Sequence, residues 1–236
     1  MDPTKSAANE SAWTLLRRVS IFADLTEEGL RDLAQRMKPC AFSAQAVIVN
    51  QQEAGESMFV VARGKAKAVL YGESGREIIL SSFKPGDFFG EMSLLDHQPR
   101  SANVIATEDA ELYSLDRTSF EQHLARHPRT ALAMLAELSR RLRKADEVIG
   151  NLALLDVYAR VARILRDLSK EQGEQATGGV LIRERPTQQE IASMIGASRE
   201  TVSRALSDFA RRGLLEMSGK RILLRWSFLQ QLADEA

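Results

Sequence analysis

Gly90-Glu91-Met92-Ser93 and, one loop later, Pro99-Arg100-Ser101 are residue types at a spacing that could hold an anion. A short helix starting at Gly90 would present free backbone N–H groups at its positive end, and the Arg100 guanidinium with the Ser101 hydroxyl would close the other side. That is a phosphate cradle. Glu91 fits poorly beside a phosphate alone, because two negative groups repel. It fits well if the phosphate carries a sugar whose hydroxyl donates to the carboxylate. Arg100 offers a fork of donors for the phosphate oxygens or for Glu91 itself.

A second constellation lies between Thr187 and Arg204. Thr187-Gln188-Gln189-Glu190 has the form of a capping box opening a helix that carries Ile191, Ala192 and Ile195. Gly196 reverses the chain, Ser198 caps a second helix, and Gly213 stops it. Two helices joined by so short a turn, with small Ala192 where they cross, have helix-turn-helix spacing. Arg199, Glu200, Ser203 and Arg204 project from the first turns of the second helix. Arginine matches the two major-groove acceptors of guanine, and glutamate accepts from the amino group of cytosine. Thr187, Ser198 and Thr201 offer hydroxyls to backbone phosphates, although Thr187 and Ser198 also serve as caps.

The elements that must position these residues follow from periodicity. From Trp13 to Met37 apolar residues fall at helical spacing, broken around Ile21 to Thr26, so two short helices come first, behind a loose tail over the first dozen residues (Asp2, Lys5, Asn9, Glu10). From Ala41 to Leu115 short apolar runs alternate with glycine-rich turns, the signature of an antiparallel all-β sandwich or barrel. Phe88 to Leu95 is the exception, with a helical turn's worth of residues.

A long helix runs from Pro128 toward Asp156, about 40 Å at 1.5 Å per residue. Leu135, Leu138, Leu142, Ala145, Ile149 and Leu152 form a heptad seam along it. Two readings stand: pairing with a second copy, or the core helix of a monomeric bundle. The narrow stripe, with Arg140, Arg141, Arg143, Lys144, Asp146 and Glu147 on the other faces, favours pairing. Asp156 caps the next helix, at a natural hinge, and Leu214–Met217 with Arg221–Leu224 form a wing with basic residues at its tip. The division expected is residues 1–20 (tail and short helix), 21–127 (sensor), 128–155 (dimerisation helix and hinge) and 156–236 (winged helix-turn-helix), an α+β chain overall.

Composition is permissive. The chain has 236 residues, 44% hydrophobic and 27% charged, with zero formal net charge, so any basic surface must be local. Cys40 is the only cysteine, which excludes an internal disulfide and an iron–sulfur cluster held by one chain, and fits a cytoplasmic setting. There is neither a signal-peptide core nor a membrane span. His97, His123 and His127 could be considered as haem ligands, but the last two flank a helix start and read as surface residues. No nucleophile with its base, and no metal-ligand cluster, converges, so an enzyme is not expected.

Gly90-Glu91, the Ser93-Leu94-Leu95 turn and Arg100-Ser101-Ala102 resemble the phosphate cassette of the cyclic-nucleotide-binding domain family. Together with Gly150-Asn151-Leu152-Ala153-Leu154-Leu155-Asp156 and Ser198-Arg199-Glu200-Thr201-Val202-Ser203-Arg204, the chain from about Ile21 to Arg225 resembles the CRP/FNR family. The resemblance implies an N-terminal cyclic-nucleotide-binding β-roll (jelly-roll-like), a long dimerisation helix and a C-terminal winged helix-turn-helix. It implies a homodimeric transcriptional regulator reading a TGTGA-type palindrome in double-stranded DNA, half-sites about one helical turn apart, with RNA polymerase as a further partner. It assigns ligand contacts to Gly90, Glu91, Met92, Ser93, Arg100 and Ser101.

One position departs from the family. Where members that bind cyclic AMP place a threonine and a serine on the long helix for adenine, this chain has Ala145 and Asp146. A carboxylate suits guanine, whose N1–H and 2-amino group are parallel donors. Cyclic di-GMP therefore stands beside cyclic AMP as effector, with no prosthetic group. The other readings of Asp146 are exposure to solvent or pairing with Arg143. A cassette that folds without nucleotide, and a nucleotide-sensing module that does not bind DNA, are the alternatives carried forward.

Overall fold

In the computed structural model, which describes residues 3–73 and 75–234, the chain divides into two units. The first, through residue 71 and again from 79 to 143, holds α1 (Pro3–Leu16), a 3-10 turn (Ser20–Phe22), α2 (Glu27–Arg36), strands β1 (Lys38–Phe42), β2 (Val47–Val49), β3 (Ser57–Arg63), β4 (Ala66–Tyr71), most of β5 (Glu77–Phe83) and β6 (Phe88–Phe89), then α3 (Glu91–Asp96), β7 (Asn103–Ala106), β8 (Ala110–Asp116) and α4 (Arg117–Arg126). The strands form two antiparallel four-stranded sheets, β1-β8-β3-β6 and β2-β7-β4-β5.

Period-two alternation gives the first sheet two buried faces. Met58 and Val60 of β3 pair with Leu115 and Tyr113 of β8 and turn toward helices α1, α2 and α4. Val61, paired with Leu112, turns the other way, into a core shared with Val49, Ala68, Phe83, Phe89 and Val104 of both sheets. This is the expected roll.

Several details differ from the sequence reading. Pro3 opens a helix where a loose tail was expected, and the C-terminal end of that helix buries Ala12, Leu15 and Leu16. Met1 and Asp2 lie outside the described residues, as does Ser74 in the turn after β4. Phe88–Phe89 is strand, within an interval expected not to be strand-like, and pairs with Val60 and Phe59. β1 begins with Lys38-Pro39, a pair unlike a strand, and survives because β1 is an edge of its sheet, where proline withholds no needed donor.

The long helix α5 spans Pro128–Leu154. Asp156 then caps α6 (Val157–Gln172), accepting from Ala159 N–H at 2.8 Å. The second unit continues with β9 (Glu174–Ala176), β10 (Gly179–Ile182), α7 (Gln188–Ile195), α8 (Arg199–Arg211), β11 (Leu215–Ser218), β12 (Arg221–Arg225) and α9 (Trp226–Asp234). Its sheet, β11-β12-β10-β9, and helices α6 to α9 share one core around Val161, Leu165, Ile191, Val202, Leu206 and Leu224. β9 lies in a segment expected to be a polar loop, and α9, which packs Phe228, Leu229 and Leu232 on this core, was not anticipated.

Candidate functional site

β6 delivers the chain to Gly90, which caps α3 in the left-handed conformation (φ 83°). A Cβ there would meet an Arg100 nitrogen at 2.7 Å, so only glycine lets the arginine in. Arg100, 8% exposed, donates from Nη1 to the Gly90 carbonyl at 2.7 Å and from Nη2 to the Ser57 carbonyl at 2.6 Å. Burial lowers the pKa of its guanidinium, opposed by the charges of Glu91 and Glu56. Two of its five N–H groups suffice for those bonds, which leaves donors for an anion.

Glu91 is 2% exposed. Its Oε1 accepts from Arg141 Nη1 of α5 at 3.1 Å; its Oε2 is buried with no partner. Arg141 also donates to the Phe88 carbonyl at 2.9 Å and to Glu137 at 3.1 Å, and lies over the Phe88 ring at 4.5 Å. Burial pushes the Glu91 carboxyl pKa up, and Arg141 opposes the rise. Ser93 is buried, Met92 is half exposed, and the exposed Ser101 hydroxyl lies 4.0 Å from the Met92 sulfur. A buried arginine with spare donors ten positions or fewer from a buried carboxylate with a spare acceptor suits a ligand that carries both an anion and a hydroxyl. α3 is too short to hold an anion by its dipole alone.

Sequence reasoning put Arg141 on the outer faces of α5 rather than against Glu91, and gave no role to two further residues here. Gly55 packs so closely on α3 that a Cβ would stand 2.4 Å from Ser93 Cβ. Arg117 reaches the same loop and helix from the start of α4. Neither has a local signature, since each acts on segments far away in sequence.

Along α5 the seam residues Leu135 (60%), Leu142 (64%) and Ile149 (63%) are exposed within the chain, as are Ala145 and Leu152. Leu138 instead packs on the chain's own helical core, beside buried Met134. Asp146 is exposed. His123, expected at the surface, is buried: its Nε2 lies 3.2 Å from the Thr130 hydroxyl and its ring meets Phe22 edge to face.

In the second unit Thr187 and Glu190 complete the capping box, with Thr187 N–H on Glu190 Oε2 at 2.7 Å and Glu190 N–H on Thr187 Oγ1 at 3.1 Å. Gly196 (φ 63°) turns the chain, and Ser198 caps α8 by accepting from Thr201 N–H at 3.2 Å. Arg199, Glu200 and Arg204 are exposed on its first turns, with Ser203 half-buried; Arg204 donates to the Thr201 hydroxyl at 3.2 Å. The N–H groups at the start of α8 and the Ser198 hydroxyl hold the Glu200 carboxyl below its ordinary pKa. A cleft of about 490 Å³ between α7, α8 and the wing is lined by Arg185, Thr187, Gln189, Arg199 and Lys220. Arg185 and Gln189 were not anticipated. The capping box and the arginines thus share one basic surface, fit for a polyanion with readable base edges.

Among the described residues no helix is long and apolar enough to cross a membrane, and no three His, Cys, Asp or Glu side chains group to hold a metal. Residues 39–127 match the cyclic nucleotide-binding domain family and residues 159–232 the Crp-like helix-turn-helix domain family. A CRP-like cAMP-activated global transcriptional regulator of Mycobacterium tuberculosis is 33% identical over 210 residues, covering 89% of this chain and 94% of that protein. The cAMP-activated global transcriptional regulator CRP of Escherichia coli O157:H7 is 33% identical over 184 residues, 78% and 87% of the two chains. Among solved structures, the c-di-GMP-responsive global regulator CLP of Xanthomonas campestris aligns with a TM-score of 0.75 at 26% identity, covering 85% of this chain and 99% of that one. With a cyclic nucleotide-binding domain followed by a Crp-like helix-turn-helix, the chain belongs to the CRP/FNR family of transcriptional regulators.

Proposed function

We propose that the protein is a homodimeric, cytoplasmic transcription factor whose affinity for DNA is set by a cyclic nucleotide held in the Gly90–Ser101 cassette. The observation that carries this is Glu91: buried, tied to Arg141 through one oxygen and left with the other bare. A buried unpaired acceptor is costly, and the 2′-hydroxyl of a ribose supplies the missing donor while Arg100 and Ser101 take the cyclic phosphate. Gly90, Met92 and Ser93 shape the contact. The exposed leucines of α5 are the surface for a second copy of the chain, since an apolar heptad stripe left in water is buried by pairing. Arg199, Glu200 and Arg204, with Ser203 beside them, read a TGTGA-type half-site, Thr187, Ser198 and Thr201 support the phosphates, and the regulator acts on RNA polymerase.

Two nucleotides fit. The curated relatives above are cAMP-activated, and the solved CLP structure is of a c-di-GMP-responsive protein. Exposed Asp146, acceptor-only when ionised, favours guanine. Calorimetric titration with cyclic AMP and with cyclic di-GMP, followed by binding to a duplex bearing the TGTGA palindrome with and without each, tests the whole reading. One nucleotide is expected to bind and to change DNA affinity. Asp146→Ala is expected to lose cyclic di-GMP and keep DNA binding; unchanged affinity returns the assignment to cyclic AMP. If neither nucleotide binds while the palindrome does, the regulator stands and the effector does not.

A further inference from the structure

Arg117 opens α4, directly after β8, and none of the residues assigned to the ligand lies next to it in sequence. Its guanidinium nevertheless spans three segments. Nη2 donates to the Gly55 carbonyl at 2.8 Å and to the Ser93 carbonyl at 3.1 Å; Nη1 donates to the Leu94 carbonyl at 3.1 Å and lies 2.9 Å from His97 Nδ1; Nε donates to Glu56 at 3.1 Å. Its backbone N–H bonds the Glu56 carbonyl at 3.0 Å.

The carbonyls at Ser93 and Leu94 belong to the last turn of six-residue α3, where no further helical N–H exists to satisfy them. Arg117 takes that role. It simultaneously binds the loop leading into β3, against which Gly55 already leaves Ser93 no free space. At the opposite end of α3, Arg100 bonds the Gly90 carbonyl and, just after that loop, the carbonyl of Ser57, the first residue of β3. One arginine thus pins each end of α3 to one short stretch of chain. Arg100 belongs to the ligand machinery; Arg117 sits at the far end of the helix from Glu91.

We infer that Arg117 is a positioning residue for nucleotide recognition: by clamping the C-terminal carbonyls of α3 to the Gly55 loop it fixes where Glu91 presents its free oxygen. The inference rests on the assignment of that oxygen to the sugar 2′-hydroxyl. A hydrogen bond to a fixed hydroxyl depends steeply on distance and angle, so a helix free to shift loses discrimination for the hydroxyl before it loses the phosphate, which is held by charge.

The test is the ratio of affinities for a nucleotide and its 2′-deoxy analogue, measured by calorimetry on the full chain. The nucleotide is whichever of cyclic AMP and cyclic di-GMP the wild type binds. The wild type is expected to prefer the hydroxylated form by about tenfold or more, as for one charge-assisted hydrogen bond. In Arg117→Ala the ratio is expected to fall toward one. In Arg117→Lys, which keeps the charge and loses the planar fork, it falls part of the way. General loss of stability weakens both nucleotides alike and leaves the ratio standing, so an unchanged ratio overturns the inference whatever happens to the melting temperature. Should Arg117→Ala not fold, the same criterion applies to Arg117→Lys. A wild type that binds nucleotide without preference removes Glu91 from sugar recognition and this inference with it; a wild type that binds neither nucleotide defeats the effector assignment on which the inference rests.

Discussion

In the cassette, Glu91, Arg100, Arg117 and Arg141 come from separate elements, and each of the three arginines bonds at least one backbone carbonyl distant in sequence. On α7 and α8 the working residues lie between Thr187 and Arg204, and their side-chain hydrogen bonds stay within three residues. Burial explains the contrast. Among the described residues the buried acidic, basic and histidine side chains are Glu91, Arg100 and His123, and all lie in the first unit. A charge removed from water must be paired or bonded wherever a partner can be found, while Arg199, Glu200 and Arg204 are solvated and can stand free until DNA arrives. Changes in the cassette should therefore reach stability as well as binding, and changes on α8 should reach binding alone.

Arg141→Met gives the largest expected break. It leaves Glu91 buried without its cation, at a cost of about 3–5 kcal/mol to the unfolding free energy of the first unit in urea titrations. The pH dependence carries the sign. Because burial raises the Glu91 pKa above 4.5, the folded state holds its proton more tightly than the unfolded chain does. That contribution is complete below pH 4.5 and is lost as pH rises through the folded value. The deficit of Arg141→Met should thus shrink on acidification, and Glu91→Gln added to it should recover most of the loss at neutral pH. A deficit independent of pH would assign it to lost packing on Phe88 instead.

His123 responds to pH with the opposite sign. Burial, then the charges of His127 and Arg36 against that of Asp32, lower its pKa from 6.5 to about 4. The unfolded chain binds the proton first, so stability is intact above pH 6.5 and falls between 6.5 and 4, by about 3 kcal/mol. The first unit should lose stability on mild acidification while the second does not, and His123→Gln should flatten the slope. A parallel loss in both units would put the acid sensitivity elsewhere.

Legibility in the sequence follows the same divide. The capping box, Gly196 and the Ser198 cap could be read because each is a local pattern whose hydrogen bonds close within one turn. Glu91 and Arg100 were legible as a pair ten positions or fewer apart, but their actual bonds, to Arg141, Ser57 and the Gly90 carbonyl, were not. Arg117 and Gly55 left no trace, since a side chain that serves carbonyls far away along the chain needs no periodicity. Leu138 shows the limit of pattern alone: the heptad places it in the seam but carries no sign that it also packs, partly buried, on the chain's own core.

Thr187 is the smallest effect and the point where the comparison is most open, because one hydroxyl serves both as helix cap and as part of the lining of the basic cleft. Thr187→Ala should cost about 1 kcal/mol of stability, the value of a lost cap. It cannot by itself separate the two roles, since a frayed α7 also moves the cleft. Thr187→Asn can: asparagine caps at least as well as threonine and its amide can donate to Glu190 Oε2 as the Thr187 hydroxyl does at 2.8 Å, so stability should hold, while the hydroxyl lining the cleft beside Arg185, Arg199 and Lys220 is gone. Weaker DNA binding with an unchanged melting curve assigns Thr187 to the phosphate contact. Equal DNA binding would confine Thr187 to the fold and leave the DNA backbone to Ser198, Thr201 and the basic lining at Arg185 and Lys220.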